Sequence, residues 1–217
     1  MVESHRDVID ADIFHMVRDL DLKQRAADYL SKMKPISIAL DKLQSDKCTI
    51  SDAVVIWKDL QDAFEDMPLS VTKDFEYRLS CALTPAHYLA HLLDHRYHDQ
   101  KYLTTNEIAM AMDFLTVHKC SAYPVVLQYL ARSSPFQDFM FNTEALKADP
   151  LIWWKSWSGL LDPTITSLVE QLHTARASSA GIERIFSTFG FVHSKIRNRL
   201  GTVKAGKLVF FCINDLI

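Results

Sequence analysis

Glu183 is the carboxylate whose setting most invites a chemical reading. It stands in Ser178-Ser179-Ala180-Gly181-Ile182-Glu183-Arg184-Ile185-Phe186-Ser187, where two hydroxyls precede a run with helical apolar spacing. Ser and Thr hydroxyls accept bonds from the unpaired N–H groups of a helix start. A carboxylate in the first turn is favoured by the helix dipole. Those two facts assign Glu183 a capping role; a metal-binding acid is the alternative. His87, His91 and His95 stand at i, i+4 and i+8, with Asp94 and His98 beside them. Histidines four apart on a helix suit zinc. No His-Glu-x-x-His accompanies them, so the expectation is solvated histidines on a polar face and no metal. Asp12 and His15 form a D-x-x-H that reads as a surface pair. Ser187 and His193 would be a nucleophile and base with no third group to orient them. No G-x-S-x-G, phosphate-binding loop or dinucleotide fingerprint occurs.

The chain has 217 residues, enough for one or two domains with a real core. Hydrophobic residues make up 48% and charged residues 24%, the balance of an ordinary globular protein. Only five Gly and seven Pro are present, which favours helices over a many-turned sandwich. The net charge of −3 predicts no general affinity for nucleic acid. The charge is uneven, however. Residues 176–207 hold seven Lys or Arg (Arg176, Arg184, Lys195, Arg197, Arg199, Lys204, Lys207) against Glu183 alone, a net +6 that leaves −9 elsewhere. Such a segment meets phosphate, or is solvated, or pairs with the acidic remainder. Cys48, Cys81, Cys120 and Cys212 are widely spaced and read as free thiols. The N-terminus lacks an apolar signal core, and no apolar run reaches bilayer length.

Apolar periodicity predicts the elements that must position these residues. Residues 11–30 form a helix with Ile13, Phe14, Val17 and Leu20 on one face. Ile36, Ala39, Leu40 and Leu43 mark a second helix after Pro35. Thr49 or Ser51 caps the next, whose stripe runs Ala53, Ile56, Trp57, Leu60, Ala63, Phe64 and Met67, ending at Pro68. Further helices cover residues 75–83, a stretch from Thr84-Pro85 with Leu89, Leu92 and Leu93 inward, residues 107–118 capped by Thr105 or Asn106, and residues 123–130. The aromatic stretch 133–142 breaks the pattern and is the candidate boundary, with its aromatics packed down. A short strand is expected at 173–177. Residues 203–217 are apolar on nearly every face, and a helix greasy all round needs cover on all sides. At a chain end, a second subunit is a natural cover.

Several of these runs resemble the hAT transposase superfamily. Ser178-Ser179-Ala180-x-x-Glu183-Arg184-x-Phe186-Ser187, Arg197-Asn198-Arg199-Leu200 and Lys207-Leu208-Val209-Phe210-Phe211-x-x-Asn214 resemble, in order and spacing, its C-terminal dimerisation signature. Asp149-Pro150-x-x-Trp153-Trp154 is similar to the entry of that region. Pro163, Ile165, Leu168, Val169 and Leu172 take its apolar positions, while Asp162, His173, Ala175 and Arg176 depart from it. Upstream, Leu83-Thr84-Pro85 through Leu93-Asp94-His95-Arg96-Tyr97-His98 is similar to another hAT segment, with His95 where Pro is usual and His98 where Lys is. The region of the Trp57 stripe resembles the family's all-helical insertion.

The resemblance implies a mainly α chain: the C-terminal fragment of an RNase H-like α/β fold, with an all-helical insertion-like region at 1–132 and the dimerisation region at 149–217. In the family, three carboxylates hold two divalent metals for phosphoryl transfer. The third is matched by Glu183; the first two are expected to lie upstream of what this chain contains. One carboxylate cannot hold two Mg²⁺, so the expectation is no enzyme, no cofactor and no metal. No zinc finger of the BED type is present. The implied function is dimerisation, with itself or another hAT-type protein, by a truncated or domesticated derivative located in the nucleus. Trp153, Trp154, Ile185, Phe186, Leu208, Val209, Phe210, Phe211 and Ile213 are the expected dimerisation residues. Arg184, Lys195, Arg197 and Arg199 are the candidate phosphate contacts of an alternative, a nucleic-acid-binding module. A second alternative is a transposase fragment active only when the missing Asp residues come from elsewhere.

Overall fold

The computed structural model describes residues 19–65, 67–99, 102–192 and 202–214. Among them, all regular structure is helical apart from one isolated antiparallel bridge, Thr49 with Arg176. The chain divides between Asp41 and Lys42 into two units. The first consists, among described residues, of helix α1 (Leu20–Leu43), whose last residues cross the division. Asp19 caps it by accepting from the N–H of Asp21 at 2.9 Å and of Leu22 at 3.2 Å. The expected break at Pro35 does not occur; the helix runs through it. Proline removes one backbone hydrogen bond, that to the carbonyl four residues earlier. Here that residue is Ser31, which is exposed, so water can serve the freed carbonyl. The expected helix at 11–30 falls partly outside the described residues, as do Asp12 and His15.

The second unit packs a short central helix against several longer ones. Its members are α2 (Ile50–Ala63), α3 (Leu69–Ala82), α4 (Pro85–Leu92), α5 (Thr105–Lys119), α6 (Tyr123–Leu130), α7 (Pro150–Ser156) and α8 (Pro163–Thr174), followed by two more described below. Thr49 caps α2 in a capping box: its hydroxyl accepts from Asp52 N–H at 3.2 Å, and the Asp52 carboxylate accepts from Thr49 N–H at 3.1 Å. Thr104, one residue earlier than expected, does the same for α5 with Glu107. α3 begins directly after Pro68, well before the expected Phe75, with Pro68 itself as the N-cap residue. α4 has only eight residues, yet touches α2, α5 and α8; Leu89 and Ala90 are completely buried.

The chain just after α4 carries the principal polar constraint of this unit. Asp94 is 0% exposed. Its carboxylate accepts from Arg96 Nη2 at 2.6 Å, Arg96 Nε at 2.9 Å and the Ser51 hydroxyl at 2.7 Å. Arg96 also reaches Asp52 at 2.7 Å. Burial opposes the Asp94 charge, but the Arg96 hydrogen bonds and charge, with His173 and Ser51, outweigh it and hold the carboxyl below its ordinary range. Leu93, next in the chain, gives its carbonyl to Trp154 Nε1 at 2.8 Å, which brings α7 in.

The histidines differ from expectation. α4 ends at Leu92 and His95 lies in a separate 3-10 turn (His95–Tyr97), so the three do not share one helical face. His91 and His95 are buried, not solvated. His91 stacks on Tyr97 at 4.8 Å, and His95 on Trp153 at 4.8 Å with Nε2 donating to the Ala145 carbonyl at 2.8 Å. His173, which replaces an apolar residue of the resembled family, is buried too. Desolvation lowers the basicity of all three, His91 down to about 4. Among the described residues, no group of three or more His, Cys, Asp or Glu is placed to hold a metal ion.

The stretch 133–142 is turn and 3-10 helix, as a patternless segment should be, but it belongs to the core. Phe136, Met140 and Phe141 are buried against Tyr129, Trp153 and Trp154. The expected strand at 173–177 is not formed. α8 takes residues 173 and 174, and the extended part reduces to Ile50 N–H donating to Ala175 O at 3.1 Å and Ala177 N–H to Cys48 O at 3.0 Å. Among the described residues, the neighbour it bridges to turns at once into α2. Cys48 is buried beside this bridge, and burial pushes its thiol up to about 11; Cys81 and Cys120 are free and exposed.

Two predictions follow from this core. Asp94→Ala leaves the Arg96 guanidinium half-paired in a mostly buried site, and the loss should be about 3 kcal/mol or more by urea unfolding; a loss below 1 kcal/mol would show that the network is dispensable. The second concerns acid. Folded His91 titrates near 4 against an ordinary value of 6.5. As pH falls below 6.5 the unfolded chain takes up protons that the folded chain refuses, so stability drops between pH 6.5 and 4, for His91 alone by on the order of 3 kcal/mol. His91→Leu should flatten the fall in urea midpoint between pH 7.5 and 5. An unchanged slope would mean that His91 accepts its proton inside the fold.

Candidate dimerisation surface

Helix α9 (Ala180–Val192) begins as its two serines direct. The Ser178 hydroxyl accepts from Ala180 N–H at 3.2 Å, and the Ser179 hydroxyl donates to Glu183 Oε1 at 2.7 Å. Glu183 is exposed, and its carboxylate thus serves the first turn of its own helix. Ser187 is exposed on α9; His193 lies outside the described residues.

Arg184 ties α9 to the turn at residues 44–47. Its Nη2 donates to the Gln44 carbonyl at 3.1 Å and pairs with Asp46. Gly181 permits the approach, since a Cβ there would meet Asp46 Oδ1 at 2.5 Å. Arg176 Nη1 donates to the Lys47 carbonyl of the same turn at 3.3 Å. Two cations of the basic segment therefore hold the chain to itself. Both partners of the Arg184–Asp46 pair are more than half exposed, so it orients α9 more than it stabilises the fold. Of the candidate phosphate contacts, only Arg184 is described; Lys195, Arg197 and Arg199 lie outside the described residues.

The last helix, α10 (Thr202–Asn214), packs against α9. Val209 is buried. The opposite situation holds for Ile182, Ile185 and Phe186 on α9 and Val203, Leu208 and Phe210 on α10, which are between 42% and 75% exposed. On α9 the three stand at i, i+3 and i+4, one face of a helix. On α10, Val203, Gly206, Lys207 and Phe210 line a shallow hollow. Phe211 and Ile213 fall within α10, but their side chains are not described. Val203 and Phe210 share one face of α10 with the hollow, while Leu208 stands well round the helix from them. Exposed apolar side chains of this size on two packed helices are the material of an association surface.

Trp153 and Trp154 are elsewhere. They are 3% and 1% exposed, at the centre of the aromatic core. Trp153 Nε1 donates to the Met140 carbonyl at 2.9 Å, and the two rings meet edge to face with centroids 5.2 Å apart. Their rings build the fold that presents the surface and are not on it. Two exposed residues that the sequence argument did not single out for association, Ile182 and Val203, belong to the surface; their helical spacing from Phe186 and Phe210 was the available signal.

Residues 128–215 match the family model of the hAT family C-terminal dimerisation region. The match supports a hAT-type C-terminal part and a dimerisation role. It starts upstream of Trp153 and so takes in the aromatic turn 133–142. No curated protein and no solved structure matches the chain. Among the described residues, no helix is long and apolar enough to cross a membrane.

Gly206 offers a check on the hollow. It sits inside α10, and a Cβ there would have no atom within 4 Å. Glycine in an exposed helix interior is worse than alanine by about 1 kcal/mol. Gly206→Ala should therefore stabilise the folded chain by about that amount in urea unfolding. A destabilisation would show that something closes on the α10 backbone at this point.

Proposed function

We propose that this protein is a dimerisation module of the hAT type, pairing with itself or with another hAT-type protein through α9 and α10. The observation that carries the proposal is the set of six large apolar side chains, Ile182, Ile185, Phe186, Val203, Leu208 and Phe210, left exposed on two helices that pack together. Removing such surface from water is the main favourable term in association. A stable interface buries about 800 Å² per partner. Two faces of thirteen-residue helices present a surface of that order. Phe186 and Phe210, the largest of the six, are the natural anchors.

The proposal extends to what the module does not do. Glu183 is the match to the family's third catalytic carboxylate, and its hydrogen bond to Ser179 gives it a structural task that needs no metal. We assign the chain no transposase activity of its own, an origin in the end of an RNase H-like fold with a helical insertion, and a nuclear location; these rest on the resemblance of its motifs.

Light scattering of the full chain across a dilution series tests the central point. The chain should have the mass of a dimer at high concentration. Phe186→Asp and Phe210→Asp should each shift it to monomer at the same concentrations, weakening association at least about thirtyfold, the equivalent of about 2 kcal/mol. Both positions are exposed, so circular dichroism should stay unchanged. A folded monomer at every concentration would sink the proposal.

A further inference from the structure

Helix α1 carries a second apolar surface, on the other unit. Leu22, Ala26, Tyr29, Met33, Ile36 and Leu40 succeed one another at intervals of four, three, four, three and four. That alternation is the a/d seam of a coiled coil. α1 is one unbroken helix over this span, so the spacing becomes a real stripe. The stripe is exposed over most of its length: Tyr29 is 66% and Met33 55% accessible, and Leu30, beside it, is 70%, while Ile36 is half-buried and Ala39 at the border is buried. Pro35 falls at an outer position of the repeat, away from the seam.

The flanks indicate what fits it. In this register the positions that border the seam are Lys23, Arg25, Leu30, Lys32, Ser37 and Ala39. Three are basic and none is acidic. In a coiled coil these flanking positions choose the partner by charge. A second copy of α1 laid antiparallel would oppose the basic borders to each other, and laid parallel would give Arg25 and Lys32 only Leu30 and Ser37, so neither arrangement offers them an acid. Arg25 and Lys32 do hold Asp21 and Asp28 at 3.1 and 2.7 Å, but these i, i+4 pairs are exposed and each worth only about 0.3–0.5 kcal/mol, so they yield to a better acid.

We propose that α1 is a docking helix for an α-helix that has an apolar 3–4 repeat and acidic residues at its flanking positions. Exposure supplies the surface, the repeat specifies a helix as occupant, and the border specifies its charge. The site is independent of the α9–α10 surface and of the dimerisation proposal.

The test uses the full chain and two fluorescent synthetic peptides of matching length, both with Leu and Ile along the seam. One carries Glu at every flanking position and the other Lys. Fluorescence anisotropy should show the Glu peptide binding about tenfold or more tighter than the Lys peptide. Tyr29→Glu with Met33→Glu should abolish the binding while circular dichroism is unchanged. Lys23→Glu, Arg25→Glu and Lys32→Glu together should reverse the preference. Failure to bind, equal binding of the two peptides, or indifference to the Tyr29 and Met33 changes would each overturn the proposal. Self-association of the chain that is lost with Tyr29→Glu and Met33→Glu would also overturn it, and give the seam to a second copy.

Discussion

The buried ionic knot at Asp94 dictates how the second unit can be built. A fully enclosed carboxylate is tolerated only if charge and donors surround it. Arg96 supplies the charge from two residues on, which bends the chain into a 3-10 turn immediately after α4. Ser51 supplies a hydroxyl from the first turn of α2, forty-three residues back. The adjacent Leu93 carbonyl then receives the Trp154 indole from α7. Two distant segments, α2 and α7, are thus fixed to one short stretch by polar bonds of defined direction, where apolar packing alone would allow sliding. His173 places the end of α8 in the same neighbourhood, so the knot also governs where α9 starts.

The aromatic residues divide sharply between inside and outside, and function follows the division. Tyr129, Phe136, Phe141, Trp153 and Trp154 fill the interior in tilted and edge-to-face contacts, with centroids 5.0 to 6.0 Å apart where they meet. Such pairs add direction to the large area each ring removes from water. Phe186 and Phe210 have the same chemistry but remain on the surface. The interior set packs the fold together, and the surface set is what the proposed association would bury. Trp153 and Trp154 lie inside the matched region 128–215, yet serve its interior.

The legible features of the sequence were those encoded by neighbours. Thr49 with Asp52, and Ser178 with the start of α9, are local signals within a few residues. The stripes of α2, α5 and α8 are periodicities that survive any tertiary arrangement. What was lost depended on distant partners. Nothing near His91 or His95 says that rings and carbonyls from other segments will enclose them, so a polar surface is the reading the sequence favours. The bridge at Arg176 was misjudged for the same reason: a strand exists only by its neighbour, and the neighbour at Cys48 and Thr49 ends after two residues. Pro35 reads as a break by propensity, but a proline with its freed carbonyl turned to water is a cost that a long helix can bear.

The basic segment illustrates how charge in a sequence differs from charge in a fold. Seven cations against one acid over residues 176–207 suggest an electrostatic surface. Arg176 and Arg184, however, turn back onto the 44–47 turn, where a carbonyl, a second carbonyl and a carboxylate receive them. Each guanidinium engaged in this way offers a phosphate less than its formal charge, because it would first have to leave a partner. Those same bonds orient α9, and with it the exposed face of Ile182, Ile185 and Phe186. The two arginines thereby serve the placement of α9, and the acidic remainder of the chain has a local reason to include Asp46.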